Sequence, residues 1–369
     1  MTALTALSGA AEKAQRRGPR VLIIRPSALG DVARTVPCLV SLRSAMPDAQ
    51  IDWLVHEAFT EVVRYHPALD DVIVFPRSAF RGFLKTPFRA MAWTRELRRR
   101  NYDIVIDLQG LLRSAWITRR TRARTRVGYR NTQEPLAWLG YNRRLHVDAG
   151  RHAVDRMLAL TEFAGYPIVP DMRLYIGPQD QQWLQDWQQH NGADAATDYI
   201  CLAPTARWLC KCWPLEGYRQ VADRLLREGM TQRIVIIAAP KERDSMKPLI
   251  EPLQQAHGEG AVMMPQTSVG QLMALLSRTK LLVCNDSGPL HLAVGFDRPI
   301  VAIFGPTDPA LVGPYQRERC VVAPDGVEPL KDPRRYYRSH ANDQSLISKV
   351  AVEQAWRRVI EQIGPEAHT

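Results

Sequence analysis

The sequence predicts an α/β protein built from two doubly wound, Rossmann-like halves facing a central cleft. Three observations carry this prediction. Short β-branched apolar runs alternate with helix-like segments of ten or more residues, the pattern of βαβ units in a parallel sheet. The alternation stops in a polar, Gln-rich stretch, "GPQDQQWLQDWQQHNGADAATD" (177–198), and then starts again. Finally, 369 residues is long for one domain and suits two.

In the first half "RVLIIRP" reads as a buried strand and is followed by an amphipathic helix to about residue 46. "AQIDWLVH", "DDVIVFP" and "YDIVIDLQG" are further strands, and the basic "FRAMAWTRELRRRN" is a helix between the last two. In the second half "YICLAP", "RIVIIAAP", "LLVCND" and "PIVAIFGP" are strands, with "LEGYRQVADRLLREG" and "VGQLMALLSRT" as helices. The expected domains are 20–180 and 197–344, after a frayed tail over 1–19. A basic amphipathic helix from about 345 is expected to pack back across the first domain.

Composition narrows the class. At 46% hydrophobic and 24% charged the chain reads as a globular protein, with no apolar run near the ~18 residues of a membrane span. The first nineteen residues lack a signal-peptide pattern. The six cysteines are scattered, several within apolar runs, as in a reduced cytoplasmic protein. Cys210 and Cys212 lack the paired spacing of a zinc site. A net charge of +11 suits a polyanionic partner. No zinc finger, RNP-type or helix-turn-helix pattern accompanies it, which argues against nucleic acid. No Gly-x-Gly-x-x-Gly follows a strand, which argues against a dinucleotide-dependent oxidoreductase.

In open α/β sheets ligands bind at the carboxyl ends of the strands, so the residues there are the candidates. After the first strand, "PSALGD" offers Asp31, either a helix cap or a general base, with Ser27 nearby to orient a hydroxyl. In the second half "APTARWLCKCWP" offers Thr205 and Lys211. A cation just before a helix N-terminus opposes the macrodipole, and an anionic ligand between them would relieve this. Glu242 is either a first-turn residue or a partner for a ribose diol. "NDSGPLHLAVGFDRPIVAIFGPTDP" (285–309) carries the strongest signal. Its helix opens at Ser287, Gly288 and Pro289, with His291 in the first turn, so free N–H groups and these side chains suit a diphosphate. Asp286 would then reach sugar hydroxyls.

Together "SALGD", "KCWP" and "NDSGPLHLA…RPIVAIFGPTDP" resemble the bacterial lipopolysaccharide heptosyltransferases. "NYDIVIDLQGLLRSA" and "EPLAWLGYNRRLHV…RHAVDR" are most similar to the heptosyltransferase I branch, and the likeness runs from about residue 20 to 315. It implies an inverting, metal-independent GT-B glycosyltransferase without a cofactor. The implied donor is ADP-heptose, and the implied acceptor is the anionic, lipid-linked Kdo of Kdo-lipid A. On the matching positions Asp31 is the base. Thr205, Lys211, Ser287, Gly288 and His291 face the donor diphosphate, Asp286 the heptose hydroxyls, and Glu242 the nucleotide ribose. A peripheral location on the cytoplasmic face of the inner membrane follows from such an acceptor. Arg77, Arg81, Lys85 and Arg89, interleaved with Phe80, Phe83 and Phe88, suit an acceptor or anionic lipid surface; they equally suit a solvated helix. The loop "TARWLCK" and the segment 317–344 are longer than the resemblance leads one to expect, which leaves room for another nucleotide sugar or core acceptor. A non-catalytic protein that binds nucleotide or nucleic acid is the reading from a different class.

Overall fold

The computed structural model describes residues 18–75, 87–132, 134–191, 199–328, 330, 336–337 and 339–364. The chain divides into two units, Met1–Tyr175 and Ile176–Thr369.

The first unit holds one six-stranded sheet of β1 (Arg20–Ile24), β2 (Gln50–His56), β3 (Asp71–Phe75), β4 (Ile104–Asp107), β5 (Thr125–Tyr129) and β6 (Arg143–Leu145). Its order is β3-β2-β1-β4-β5-β6, and every pairing is parallel. The connecting helices are α1 (Leu29–Arg34), α2 (Val36–Ala45), α3 (Glu61–Arg64), α4 (Pro87–Arg99) and α5 (Leu112–Thr121), with α6 (Ala153–Phe163) after the last strand. Val21, Leu22, Ile23 and Ile24 are all fully buried, as expected for a central parallel strand covered on both faces.

The second unit begins with α7 (Pro178–His190) and continues through β7 (Tyr199–Ala203), α8 (Leu215–Arg227), β8 (Arg233–Ile236), α9 (Lys247–His257), β9 (Val262–Met263) and α10 (Val269–Arg278). There follow β10 (Leu281–Asn285), α11 (Gly288–Gly295), β11 (Ile300–Ile303), α12 (Pro309–Val312), β12 (Val321–Val322) and α13 (Val352–Ile363). The sheet order, β12-β11-β10-β7-β8-β9, repeats that of the first unit when counted from its own first strand. Each sheet therefore reverses between its first and fourth strands, β1/β4 and β7/β10. Register brings the strand ends there level, with Ile24 opposite Asp107 and Ala203 opposite Cys284.

Two helices bear on the expected domains. The Gln-rich helix α7, left between the expected domains 20–180 and 197–344, lies in the second unit: Leu184 is buried, and the Trp187 ring packs edge-on against Tyr199 in β7 at 5.8 Å. The final helix, expected on the first domain, spends its apolar face on the second unit's own core. Ala355, Trp356 and Val359 cluster with residues such as Val301, Ile303 and Tyr218. Its charge pattern could not reveal which sheet lacked a covering helix.

Trp356 is 4% exposed and carries the Arg224 guanidinium over its ring at 4.1 Å. Trp356→Ala should cost the second unit about 3–5 kcal/mol, read as a lowered midpoint in chemical denaturation. An unchanged midpoint would remove this helix from the core.

Candidate active site

Ser27, Asp31, Thr205, Lys211 and the segment 286–291 lie at the two strand-order reversals, where neighbouring connections leave on opposite faces and open a crevice. In the first unit Asp31 stands at the third position of α1 and accepts the Ala28 N–H at 3.2 Å. The cap expected of it therefore exists, but as a carboxylate reaching back to the N-cap backbone. Arg25 Nη2 lies 3.1 Å from Asp31, and Arg34 forms a second ion pair one turn on. Arg25 also donates to the Leu108 carbonyl after β4, so its guanidinium spans the reversal. Burial pushes the Asp31 carboxyl up, but Arg25, Arg34 and the Ala28 N–H outweigh it and hold it well below the usual carboxylate range.

Beside it, Asp107 ends β4 fully buried. One oxygen accepts the Tyr141 hydroxyl at 2.7 Å and the other the N–H groups of Gln109 and Gly110. Burial dominates here and raises the Asp107 carboxyl. Gly110, at φ +69°, turns the chain away where a Cβ would come within 2.9 Å of the Tyr129 ring. Between these loops lies a cavity of about 570 Å³ lined by Ser27, Phe75, Gln109, Arg113, Trp116 and Glu134, among others. Ser27 thus faces open space next to Asp31's helix. Arg77, Arg81 and Lys85 lie outside the described residues, while Phe88 and Arg89 are exposed at the start of α4.

In the second unit Asn285 ends β10 as a fully buried amide. Its Oδ1 accepts the Trp213 N–H at 3.0 Å, and its Nδ2 donates to the Pro204 carbonyl at 2.7 Å. The side chain thereby fixes both ends of the loop that carries Thr205 and Lys211. Lys211 Nζ meets Asp286 at 2.5 Å and lies 4.9 Å from the Tyr337 ring centre. The anion that relieves its awkward position is therefore a carboxylate of this chain. Burial would lower the Lys211 pKa, yet Asp286, followed by Tyr337, more than compensates and raises it. The Tyr337 hydroxyl is 2.7 Å from Thr307 Oγ1, after β11, and its ring stacks on Trp208. Four chain segments thus meet around one ammonium.

Ser287 caps α11 with its backbone, while its buried hydroxyl has no partner among the described residues. Gly288 and Pro289 open the helix and His291 follows, 4% exposed. Thr205 is half-buried directly after Pro204. Glu242, also half-buried, accepts the Ala239 N–H at 3.1 Å in a short 3-10 turn after β8. It lies close enough to Cys212 to add to the burial that raises that thiol to about 11. Sequence reasoning missed Arg25, Arg34, Asn285, Thr307 and Tyr337. Arg34 had a signal, three residues after Asp31 on a helix; Tyr337 had none.

A pair of Rossmann-like units with polar groups concentrated at both reversals is the GT-B type, and the chain is a glycosyltransferase. Residues 90–335 match glycosyltransferase family 9 (heptosyltransferase), and the chain belongs to that family. Lipopolysaccharide heptosyltransferase 1 of Pseudomonas aeruginosa is 33% identical over 312 residues, 83% of this chain and 84% of that protein. The Escherichia coli K12 protein of the same name is 32% identical over 82% of this chain and 92% of its own. The structure of E. coli heptosyltransferase WaaC with ADP-2-deoxy-2-fluoro heptose aligns with a TM-score of 0.71 at 28% identity, covering 93% of this chain and 99% of that one. A glycosyl transferase family 9 structure from Veillonella parvula aligns at 0.81 and 24% identity over 94% and 97%, a likeness of fold. The resemblance drawn from the strand-end motifs is borne out.

Two expected outcomes test the local chemistry. Asn285→Ala leaves the Trp213 N–H and the Pro204 carbonyl buried without partners and should cost about 2 kcal/mol or more in denaturant unfolding. Asp31 has a depressed folded-state pKa, so its stabilisation is full above the unfolded value near 4 and lost as pH falls through the folded value. The stability gap between the parent and Asp31→Asn should be constant from neutral pH down to about 4 and narrow below it; a gap that widens in acid would contradict this assignment.

Proposed function

We propose that this protein transfers heptose from ADP-heptose to a Kdo hydroxyl of the lipopolysaccharide inner core, with inversion at the anomeric carbon. The observation that carries the reading is the division of labour between the two reversals. A carboxylate follows β1 beside an open cavity, while a lysine, a serine hydroxyl with no partner among the described residues and a helix N-terminus follow β7 and β10.

The acceptor sugar occupies the cavity at Ser27, where Arg113 is the cation suited to a Kdo carboxylate. Its hydroxyl oxygen attacks the anomeric carbon, the bond from that carbon to the ADP oxygen breaks, and the hydroxyl proton passes to Asp31. A carboxylate held so acidic is a weak base. In an oxocarbenium-like transfer the attacking oxygen gains oxonium character as its new bond forms, so its proton becomes acidic enough for such a base. On the donor side, charge develops on the departing diphosphate. Lys211, Ser287, the Gly288 end of α11, His291 and Thr205 receive it, with no water reorganisation needed. Lys211 turns from Asp286 to the phosphates, which frees Asp286 for the heptose hydroxyls; Glu242 takes the ribose. The anionic, lipid-linked acceptor calls for work at the cytoplasmic face of the inner membrane. No helix among the described residues is long and apolar enough to cross a membrane, which leaves peripheral attachment as the form we propose.

The deciding measurement is ADP release from ADP-heptose with a Kdo-lipid A acceptor; turnover of UDP-sugars alone would overturn the donor assignment. Asp31→Ala should lower kcat by about 10² or more with ADP affinity kept, whereas near-normal turnover would reduce Asp31 to a cap. Lys211→Ala should weaken ADP binding and slow transfer together.

A further inference from the structure

Residues 108–147 contain nine arginines and a single carboxylate, Glu134, a surplus of eight out of the whole chain's eleven. The structure gathers part of this surplus around the short turn Ala137–Gly140, which lies tightly on α5; a Cβ at Gly140 would fall 2.4 Å from the Ala115 carbonyl oxygen. Arg119 donates to the Leu139 carbonyl at 3.4 Å, Arg126 to the Gly140 carbonyl at 3.3 Å, and Arg144 stacks on Trp138 at 4.9 Å. None of these three arginines has a carboxylate partner among the described residues. Arg119 and Arg126 are close enough to repel, which with burial lowers the Arg126 pKa.

The same turn displays apolar side chains. Leu136 is 59% exposed and Leu139 47%. Leu136 also has φ +66°, a left-handed conformation that glycine or asparagine would adopt at less cost. A leucine both strained and exposed has no folding rationale, and retained strain of this kind points to function. The patch adjoins the proposed acceptor cavity: Glu134, which lines it, stands two residues before Leu136, and its carbonyl accepts the Ala137 N–H of the turn at 3.4 Å.

We propose that the surface formed by Arg119, Arg126, Arg144, Trp138, Leu136 and Leu139 docks on an anionic phospholipid bilayer. The arginines meet lipid phosphates and the leucines enter the interface. Charge complementarity selects an anionic partner, and the exposed leucines select a membrane over nucleic acid, whose phosphates give them nothing to enter. Continuity with the cavity would present a lipid-linked sugar to Asp31 while its acyl chains stay in the bilayer. The inference thus rests on the lipid-linked acceptor reading above.

The test is co-sedimentation of the full chain with vesicles of phosphatidylcholine alone or mixed with phosphatidylglycerol, at ~150 mM salt. The parent should bind the anionic vesicles only. Arg119→Glu/Arg126→Glu/Arg144→Glu should lower that partitioning by on the order of 100-fold, about fivefold for each charge removed. Leu136→Ser/Leu139→Ser should lower it less while keeping its salt dependence. Both variants should retain the parent's melting temperature and its transfer to a water-soluble Kdo acceptor, and both should lose transfer to acceptor held in vesicles. Equal vesicle binding by parent and charge-reversed protein would overturn the proposal. So would transfer RNA that binds at this patch and is not displaced by anionic vesicles. Inactivity of the parent on the soluble acceptor would instead defeat the acceptor reading, and vesicle binding is measured independently of it.

Discussion

The amide of Asn285 is the contact on which the strand-end site of the second unit depends. It sits where β10 ends and the sheet order reverses, and it joins the ends of the loop between β7 and α8 to that point. Only a side chain with both a donor and an acceptor can serve a carbonyl and an N–H at once in a dry site. Aspartate would match Asn285 in shape but would bring a buried charge and lose the donor to Pro204. With both loop ends fixed, Lys211 has little freedom except about its own side chain, so its ammonium lies within reach of Asp286 without tertiary rearrangement.

A common electrostatic pattern links the two units. Each reversal holds a carboxylate matched by cations, Asp31 with Arg25 and Arg34, and Asp286 with Lys211. Coulomb attraction is strong in partly buried sites, so these pairs hold the groups in place. The two sites differ in what a ligand must displace. In the transfer we propose, a phosphate would compete with one carboxylate for the Lys211 ammonium. At Asp31 two guanidiniums would remain in place, and the substrate would work against the low proton affinity they impose.

Much of this was legible in the sequence. The strands, their alternation with helices and the position of the second-unit candidates after strands follow from apolar runs and turn residues, which are local signals. Asp286 and Ser287 could be named because a carboxylate or hydroxyl directly after a buried strand has few purposes. The partners were not legible, because Arg25 meets Leu108, and Lys211 meets Tyr337 and Asp286, only through the fold. The address of α13 was not legible for the same reason. An amphipathic helix announces that it covers something, but not which sheet. Nor did the charge count show that most of the surplus lies between residues 108 and 147, beside leucines that no core accommodates.

The placement of α13 has a consequence for how the protein is made. The strands of the first unit are all complete by Leu145, so its sheet can assemble while the remaining chain is still being synthesised. The second unit has no such freedom. Its core includes Trp356 and Val359 in α13, which starts at Val352, well beyond the last strand at Val322. These residues are still shielded in the ribosomal exit tunnel when β7 to β12 emerge. Domains fold as units, N-terminal first, during synthesis. The second unit therefore closes its core only once Val359 has left the tunnel, and a chain cut before α13 would pair a finished first unit with an unfinished second.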